Sequence, residues 1–452
     1  MSVGPDYERP EIALPSKFEA PENQEALKLA RDWWTLYADP ALDEIVAATR
    51  ANNADLRFAA ARVQEAEGVL REVNATLFPD IGASYSYSRN QVSQATVPPP
   101  LGGFGTVRAQ NQLLLSTSYE IDFWGRLSRT AEAARAGLLA TRYAQDVVDL
   151  TLASAAAQSY FALRSLDAQL GVLAQTIKAR SDSLDLARAR LQAGLASELD
   201  VYQAQGALSD ALVQRRDTER QRAVLERQIG QLTGRLDLKI APGDLFKLPV
   251  PPTPPAGLPS ELLDRRPDIR NAEEGLVATN AQIGIARAAL FPSISLTAAI
   301  GTQSSVFSDL LSSGAGIWSL AYGLTLPIFD AGRRGARVDQ ARARREQALA
   351  SYQRAIETGF REVSEGLINV EQSGATETDL VNRLEAARNA LELSNLRYQS
   401  GYSPYLEVLD AQRTANDAEL AFVRNRQARL SFSVDLMKSL GGGWTDPKLA
   451  KK

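Results

Sequence analysis

Arg397-Tyr398-Gln399-Ser400-Gly401-Tyr402-Ser403-Pro404-Tyr405-Leu406-Glu407-Val408-Leu409-Asp410-Ala411-Gln412-Arg413 decides the fold. An Ala/Leu-rich helical pattern runs into Gly401, and a new one opens at Ser403-Pro404. Gly just past a helix end, Ser at an N-cap and Pro at the first helical position spell a tight helix–turn–helix. The stretch has a twin, Arg190-Leu191-Gln192-Ala193-Gly194-Leu195-Ala196-Ser197-Glu198-Leu199-Asp200-Val201-Tyr202-Gln203-Ala204-Gln205, at a gapless offset of about 207 residues. Arg, Gln, Gly, Leu, Val, Ala and Gln recur in register. The chain therefore reads as two copies of one unit.

Composition narrows the function before any site is sought. The 452 residues include no His and no Cys. The usual general base, the nucleophilic thiol and most zinc or haem ligation are thereby removed. A net charge of −4 argues against nucleic acid as a partner. The longest apolar stretch, Val147 to Leu163, is broken by Asp149, Gln158 and serines, so no spanning helix is expected. The first residues show no signal-peptide pattern, and the expectation is a chain that starts where a mature protein starts.

Outward from the turns, the order repeats. Residues 1–40 read as an extended N-terminal arm. The first repeat covers 41–248: a helix to about Thr76, a β-hairpin over 81–123, a long helix, a tip and a returning helix. A Pro-rich stiff linker follows at 249–259. The second repeat, 260–440, has its hairpin over 293–330, and a tail occupies 441–452. Leu77-Phe78-Pro79 and Leu290-Phe291-Pro292 end the helix before each hairpin. Beyond them the apolar period changes to two. Leu113, Leu115, Thr117, Tyr119, Ile121 and Phe123 alternate with Gln112, Leu114, Ser116, Ser118, Glu120 and Asp122. Trp318, Leu320, Tyr322, Leu324 and Leu326 alternate with small residues, as do Ile294, Leu296, Ala298 and Ile300. Tyr85 and Tyr87 mark a weaker first strand. Turns are expected at Pro98 to Gly103 and around Ser304 to Gly314.

Greasy on one face and serine-rich on the other, such strands suit a membrane barrel with a wet lumen. A soluble sheet packed on a helix is the alternative, and serines would be an odd lining for a dry core. The long helices start near Leu127 and Arg333 and run about 65 residues, or about 100 Å. Their Leu163, Leu166, Leu170, Leu173, Ile177, Leu184, Ala187 and Leu191 keep coiled-coil spacing. The helix before each hairpin and the returning helix, about 37 residues each, together match one long helix. Four strands cannot close a barrel, and open edges in lipid leave backbone groups unsatisfied. Closed barrels start at about eight strands, so several chains must each give a sector.

Seven motifs, in order along nearly the whole chain, then resemble a known family. They are Val3-Gly4-Pro5-Asp6-Tyr7; Trp33-Trp34 with Asp39-Pro40; Asp122-Phe123-Trp124-Gly125-Arg126; Leu258-Pro259-Ser260 with Arg265-Arg266-Pro267-Asp268-Ile269; Pro327-Ile328-Phe329-Asp330; Leu409-Asp410-Ala411-Gln412-Arg413; and Leu440-Gly441-Gly442-Gly443-Trp444. Together they resemble the outer membrane factors of Gram-negative efflux pumps, in the OprM-like, TolC-related branch. The resemblance implies a mainly α fold with a small β part. Long antiparallel coiled-coil helices would form a trimeric α-barrel tunnel through the periplasm, continued by a transmembrane antiparallel β-barrel of four strands per chain. The implied partners are two sister subunits, a periplasmic adaptor, an inner-membrane transporter of the resistance-nodulation-division class and outer membrane lipid. The branch starts at a lipidated Cys; here Met1 precedes Ser2-Val3-Gly4-Pro5, so the implied anchor lacks its Cys in these residues.

Residue roles follow from the same resemblance. Leu406, Asp410 and Arg413 share one helical face by their spacing. The family assigns Leu406 to a constriction and Asp410 and Arg413 to a latch at the periplasmic gate; by spacing alone they are an ordinary packed seam with an exposed ion pair. Gly194 and Gly401 are explained by turn geometry, and Ser197 with Asp200 by helix capping. Only the family makes Gly194, Ser197, Gly401 and Ser403 adaptor-docking tips. Leu113, Leu115, Tyr119, Trp318, Leu320 and Tyr322 would face lipid. The basic run Arg333-Arg334, Arg337, Arg342, Arg344 and Arg345 is a solvated helix face or a lipid head-group contact. Gly102-Gly103-Phe104-Gly105 is no phosphate loop, because no helix follows it. Glu273-Glu274 point apart on a helix and suit no shared acid–base site.

Three classes remain: a passive export duct, a soluble coiled-coil scaffold and an enzyme. No catalytic residue, metal site or cofactor is expected. The duct would carry drugs or other small toxic compounds through an iris-like gate; metal-ion efflux and type I protein secretion are alternatives of the same architecture.

Overall fold

The computed structural model describes residues 2–15, 18, 29–91, 93, 107–255 and 259–446. Helices α1 (Pro40–Asn52) and α2 (Ala54–Ala75) precede strands β1 (Asp80–Gln91) and β2 (Val107–Ile121). Helices α3 (Arg126–Gln192) and α4 (Glu198–Leu232) follow. The second half runs α5 (Leu262–Arg265), α6 (Pro267–Ala288), β3 (Ser293–Ser304), β4 (Gly316–Thr325), α7 (Arg333–Gln399) and α8 (Tyr405–Ser439). Corresponding elements have equal lengths: 22 residues in α2 and α6, 67 in α3 and α7, and 35 in α4 and α8.

Three expectations need correction. The helix before the first hairpin is broken at Asn53, whose backbone is extended and whose Oδ1 accepts from the Asp55 N–H at 2.8 Å. Its Nδ2 donates to the Leu232 carbonyl at 3.0 Å, so this Asn side chain takes over backbone hydrogen bonding and restarts the helix. The counterpart in the second half is only 22 residues, because Pro267 forces extended backbone at Arg266 and cuts off the short α5. Among its described residues the N-terminal arm is not extended throughout, since Trp33–Tyr37 form a 3₁₀ helix. The expected turn at Pro98 to Gly103, with Gly102 to Gly105, and Leu258 of the linker lie outside the described residues.

Two compact units each draw on both halves of the sequence. The first gathers Met1–Glu11, Arg62–Thr141 and Asn271–Tyr352. Its four strands form one antiparallel sheet in the order β1-β2-β3-β4, the two hairpins being joined by β2–β3 pairing. The register sets Leu115 opposite Ala83 and Ile300, and Ile300 opposite Trp318. Ile81, Tyr85, Leu113, Leu115, Leu296, Ile300, Trp318, Leu320, Tyr322 and Leu324 thus share one face and are exposed. Tyr119, opposite Leu296, is half-buried on that face. Ser84, Ser86, Ser116, Ser118, Ser295, Thr297 and Ser319 share the other. Gly301 permits close pairing, since a Cβ there would lie 2.0 Å from the Leu113 carbonyl oxygen. Below the sheet, Trp124 stacks on Phe291 at 4.5 Å and donates to the Pro292 carbonyl. The N-terminal residues pack alongside: the Val3 N–H donates to the Trp124 carbonyl, and Arg9 grips Glu273 through two hydrogen bonds.

The second unit comprises Ile12–Ala61, Arg142–Arg270 and Gln353–Lys452. Its main core joins Trp33, Tyr37, Leu42, Val46, Tyr160, Phe161, Leu163, Ile229, Leu245, Leu430 and Val434. Ala153, Ala156 and Ala157 keep that stretch of α3 slim where aromatic rings crowd it. The Pro-rich segment is pinned as it leaves: Leu248 is buried, and its carbonyl accepts from Arg426. The segment just after α8 turns through Gly441, Gly442 and Gly443, all at positive φ. A Cβ on Gly441 would meet the Arg265 carbonyl oxygen at 2.0 Å, so this turn admits only Gly.

Glu226 on α4 is buried and accepts from the Ile240 N–H at 2.8 Å, with Lys239 and Arg222 close by. Burial alone would raise its pKa, but those donors outweigh it and hold the carboxyl below the ordinary Glu range. Stability from this group is present above the unfolded pKa and lost as pH falls through the depressed folded value. Glu226→Gln therefore lowers the thermal midpoint at pH 7, and the gap to the native chain closes in increasingly acidic buffer; a gap unchanged by pH contradicts this.

Candidate functional site

The predicted gate and tip residues gather where α3 meets α4 and α7 meets α8, all within the second unit. Both long helices end in the same hydrogen-bonded turn. Gly194 sits at φ +70 and Gly401 at φ +80. In one, Leu195 donates to Arg190 and Gly194 to Leu191; in the other, Tyr402 donates to Arg397 and Gly401 to Tyr398. This is the Schellman arrangement, which satisfies otherwise orphaned carbonyls and demands left-handed backbone at the Gly. The returning helices start differently. Ser197 caps α4 in a reciprocal box with Asp200, at 3.4 and 3.2 Å. Ser403 caps nothing. Pro404 is the N-cap of α8, and Ser403 is buried with its Oγ unpartnered, which corrects the expected Ser cap with Pro at the first helical position.

The tips are tied together. Arg190 donates to the Tyr398 carbonyl at 2.7 Å and lies 4.7 Å from the centre of that ring. Tyr398 meets Tyr405 at 5.5 Å, and both are buried with Leu184, Ala187, Ala204 and Val408. The outer surface carries several exposed apolar side chains, Leu195, Leu199, Tyr202, Tyr402 and Leu406, beside exposed polar ones such as Glu198 and Arg397.

Leu406, Asp410 and Arg413 are brought to one place, a hollow of about 530 Å³ that also takes in Arg180, Gln203, Gly206 and Asp210. Asp410 and Arg413 form an ion pair at 2.7 Å, with side chains 64% and 70% exposed. Such a pair contributes about 0–1 kcal/mol. Gln203 and Gly206 occupy the corresponding positions in the first copy, so these two positions carry charge on α8 and none on α4, whose own charge in the hollow is Asp210.

Arg180 was not foreseen. It is buried, donates to the Ala207 carbonyl at 2.5 Å, and leaves its Nε without a partner. Burial pushes its pKa below the ordinary Arg value, which makes it a cation held at a cost. The available signal was its spacing: Ile177, Arg180 and Leu184 put an Arg in line with an apolar seam. Gln412 and Asn416 continue the polar trail along α8, bonding Ser183 and Thr176 of α3. Among the described residues no cluster of acidic side chains could hold a metal ion. Glu273 is occupied by Arg9 and Tyr7.

Long paired helices, a greasy open-edged sheet and twin tips now stand beside the sequence comparisons. The family model for "outer membrane efflux protein" matches residues 45–235 and 258–442. The chain belongs to the outer membrane efflux protein family. It is similar to the solvent efflux pump outer membrane protein SrpC of Pseudomonas putida, 35% identical over 98% of this chain and 96% of the relative. It is also similar to the cation efflux system protein CusC of Escherichia coli, 34% identical over 98% and 96%. The crystal structure of the open state of the MtrE outer membrane channel of Neisseria gonorrhoeae superposes with a TM-score of 0.88, at 30% identity and 98% coverage of each chain. As a family member the chain is an efflux channel of the Gram-negative outer membrane and not an enzyme. No helix among the described residues is long and apolar enough to cross a membrane.

The two tips give a contrast that mutation reads directly. Ser197→Ala removes a working cap and should cost about 1 kcal/mol, with faster amide exchange in the first turn of α4. Ser403→Ala should leave exchange in the first turn of α8 unchanged. Equal effects at both tips would contradict the capping assignment.

Proposed function

We propose that three copies of this chain close a twelve-stranded barrel in the outer membrane and continue it as a helical tunnel. The duct would passively carry drugs or other small toxic compounds out of a tripartite pump of the resistance-nodulation-division type. One observation carries the reading: an amphipathic sheet whose outer strands, β1 and β4, each pair on only one side among the described residues. Four strands cannot close alone, whereas three sectors exceed the roughly eight strands at which closed barrels begin. Trp318 and Tyr322, 80% and 86% exposed, suit contact with lipid, and the serine-bearing face suits a wet lumen.

The apolar tips are the surface we assign to a periplasmic adaptor, with the hollow beside them as the gate. Leu406 narrows the pore, and Asp410 with Arg413 biases it shut. Around a threefold ring the exposed pairs supply at most about 3 kcal/mol, roughly two decades in a closed–open equilibrium. That biases an iris but does not lock it, so opening rests on α8 moving when an adaptor grips the tips. The two relatives serve a solvent pump and a cation pump at nearly the same identity, so we place cargo choice in the inner-membrane transporter rather than in the duct.

Planar bilayer recordings test the gate. Asp410→Ala with Arg413→Ala should raise single-channel conductance severalfold over the unmutated channel; equal conductance removes the latch. Assembly is tested separately. The chain should purify as a detergent-dependent trimer and aggregate when detergent is withdrawn. A monomer that remains soluble without detergent would overturn the barrel.

A further inference from the structure

The first unit has a second hollow, of about 530 Å³, formed by the N-terminal residues, the end of α6 and the first turns of α7. Leu290, Phe291 and Val338 give it an apolar floor, Arg287 and Arg342 reach it as cations, and one carboxylate, Asp339, also lines it. Its level is fixed by the chain. Phe291 lies just before β3, and the Val3 N–H bonds the carbonyl of Trp124, just after β2. Ile328 and Phe329, between β4 and α7, are 93% and 88% exposed. If the sheet spans lipid, this is where the chain leaves it.

Charge here is lopsided. From Arg333 to Glu346 the sequence holds Arg333, Arg334, Arg337, Arg342, Arg344 and Arg345 against two carboxylates, Asp339 and Glu346. Arg334 is paired with Asp330, Arg342 with Asp339 at 3.4 Å, and Arg345 with Glu346. Arg287, Arg333, Arg337 and Arg344 have no carboxylate partner among the described residues. An apolar trough whose rim holds the unpaired Arg287, and Arg342 held by one exposed carboxylate at 3.4 Å, keeps a net positive charge and matches an anionic amphiphile: carbon chains on the floor, a phosphate at the rim. The volume falls in the range of small-ligand pockets.

We propose that this hollow seats an anionic glycerophospholipid of the adjoining leaflet. Its phosphate lies against Arg287 and Arg342, and one acyl chain runs along Leu290, Phe291 and Val338. The inference rests on the sheet being a membrane sector. A lipid held at this level ties the start of α7 and the end of α6 to the bilayer.

The test places the full chain in nanodiscs of phosphatidylcholine with phosphatidylglycerol as the minor component, and counts retained lipids by native mass spectrometry. The native protein should favour phosphatidylglycerol by about tenfold or more, fading as salt rises. Arg287→Gln with Arg342→Gln should abolish the preference, and Val338→Trp should abolish it without changing charge. Arg333→Gln with Arg344→Gln, the same loss of charge outside the hollow, should keep it. Equal retention of both lipids by the native protein overturns the proposal. So does a loss of preference in the Arg333/Arg344 variant as large as in the Arg287/Arg342 variant, or a Val338→Trp variant that binds normally. Failure of the native chain to insert at all would overturn the membrane-sector reading and this site with it, whereas insertion without preference removes the site alone.

Discussion

Backbone hydrogen bonding along the outer strands of the sheet is the constraint on which everything else depends. Each unpaired N–H and C=O facing hydrocarbon costs several kcal/mol, so β1 and β4 are sustainable in lipid only when another sheet completes them. The side chains leave no escape by folding inward. Trp318, Leu320, Tyr322 and Leu324 line one face continuously, and serines and threonines line the other. Among the described residues such a sheet is incompletely satisfied as a single copy.

The helical part meets a related constraint differently. Two 67-residue helices must each reverse without leaving carbonyls bare, and the same Gly-dependent turn does it at both tips. Duplication made the scaffold nearly symmetric, yet the symmetry is broken where it matters. Asp410 and Arg413 sit opposite uncharged Gln203 and Gly206 across one hollow, and only α4 carries a side-chain cap.

Buried charge marks the places that had to be specified rather than merely packed. Arg180 sits near the tips beside the hollow that Asp210 and Asp410 also line, with its Nε unpartnered. Arg266, deep in the second unit, is matched by Asp268, Glu362 and the Ser439 carbonyl, which outweigh its burial and hold its pKa above the ordinary value. A buried Arg matched by carboxylates recovers its desolvation cost, while an undermatched one bears it.

The residues alone determined the elements and their repetition. Gly401 and Gly194 located the turns, period-two alternation located the strands and their greasy face, and the missing His and Cys removed most chemistry. These are local properties, set by backbone sterics and side-chain spacing, and they need no knowledge of distant neighbours. Tertiary structure decided the rest. Asn53 breaks a helix because its side chain finds the Leu232 carbonyl, far away in sequence. The two hairpins become one sheet because β2 pairs with β3. Arg180 joins Asp410 only once α3, α4 and α8 pack together. Ser403, which reads as a cap, is buried without a partner because Pro404 takes the capping position. Each of these depends on which distant group lies within hydrogen-bonding reach, and spacing along a chain does not encode that distance.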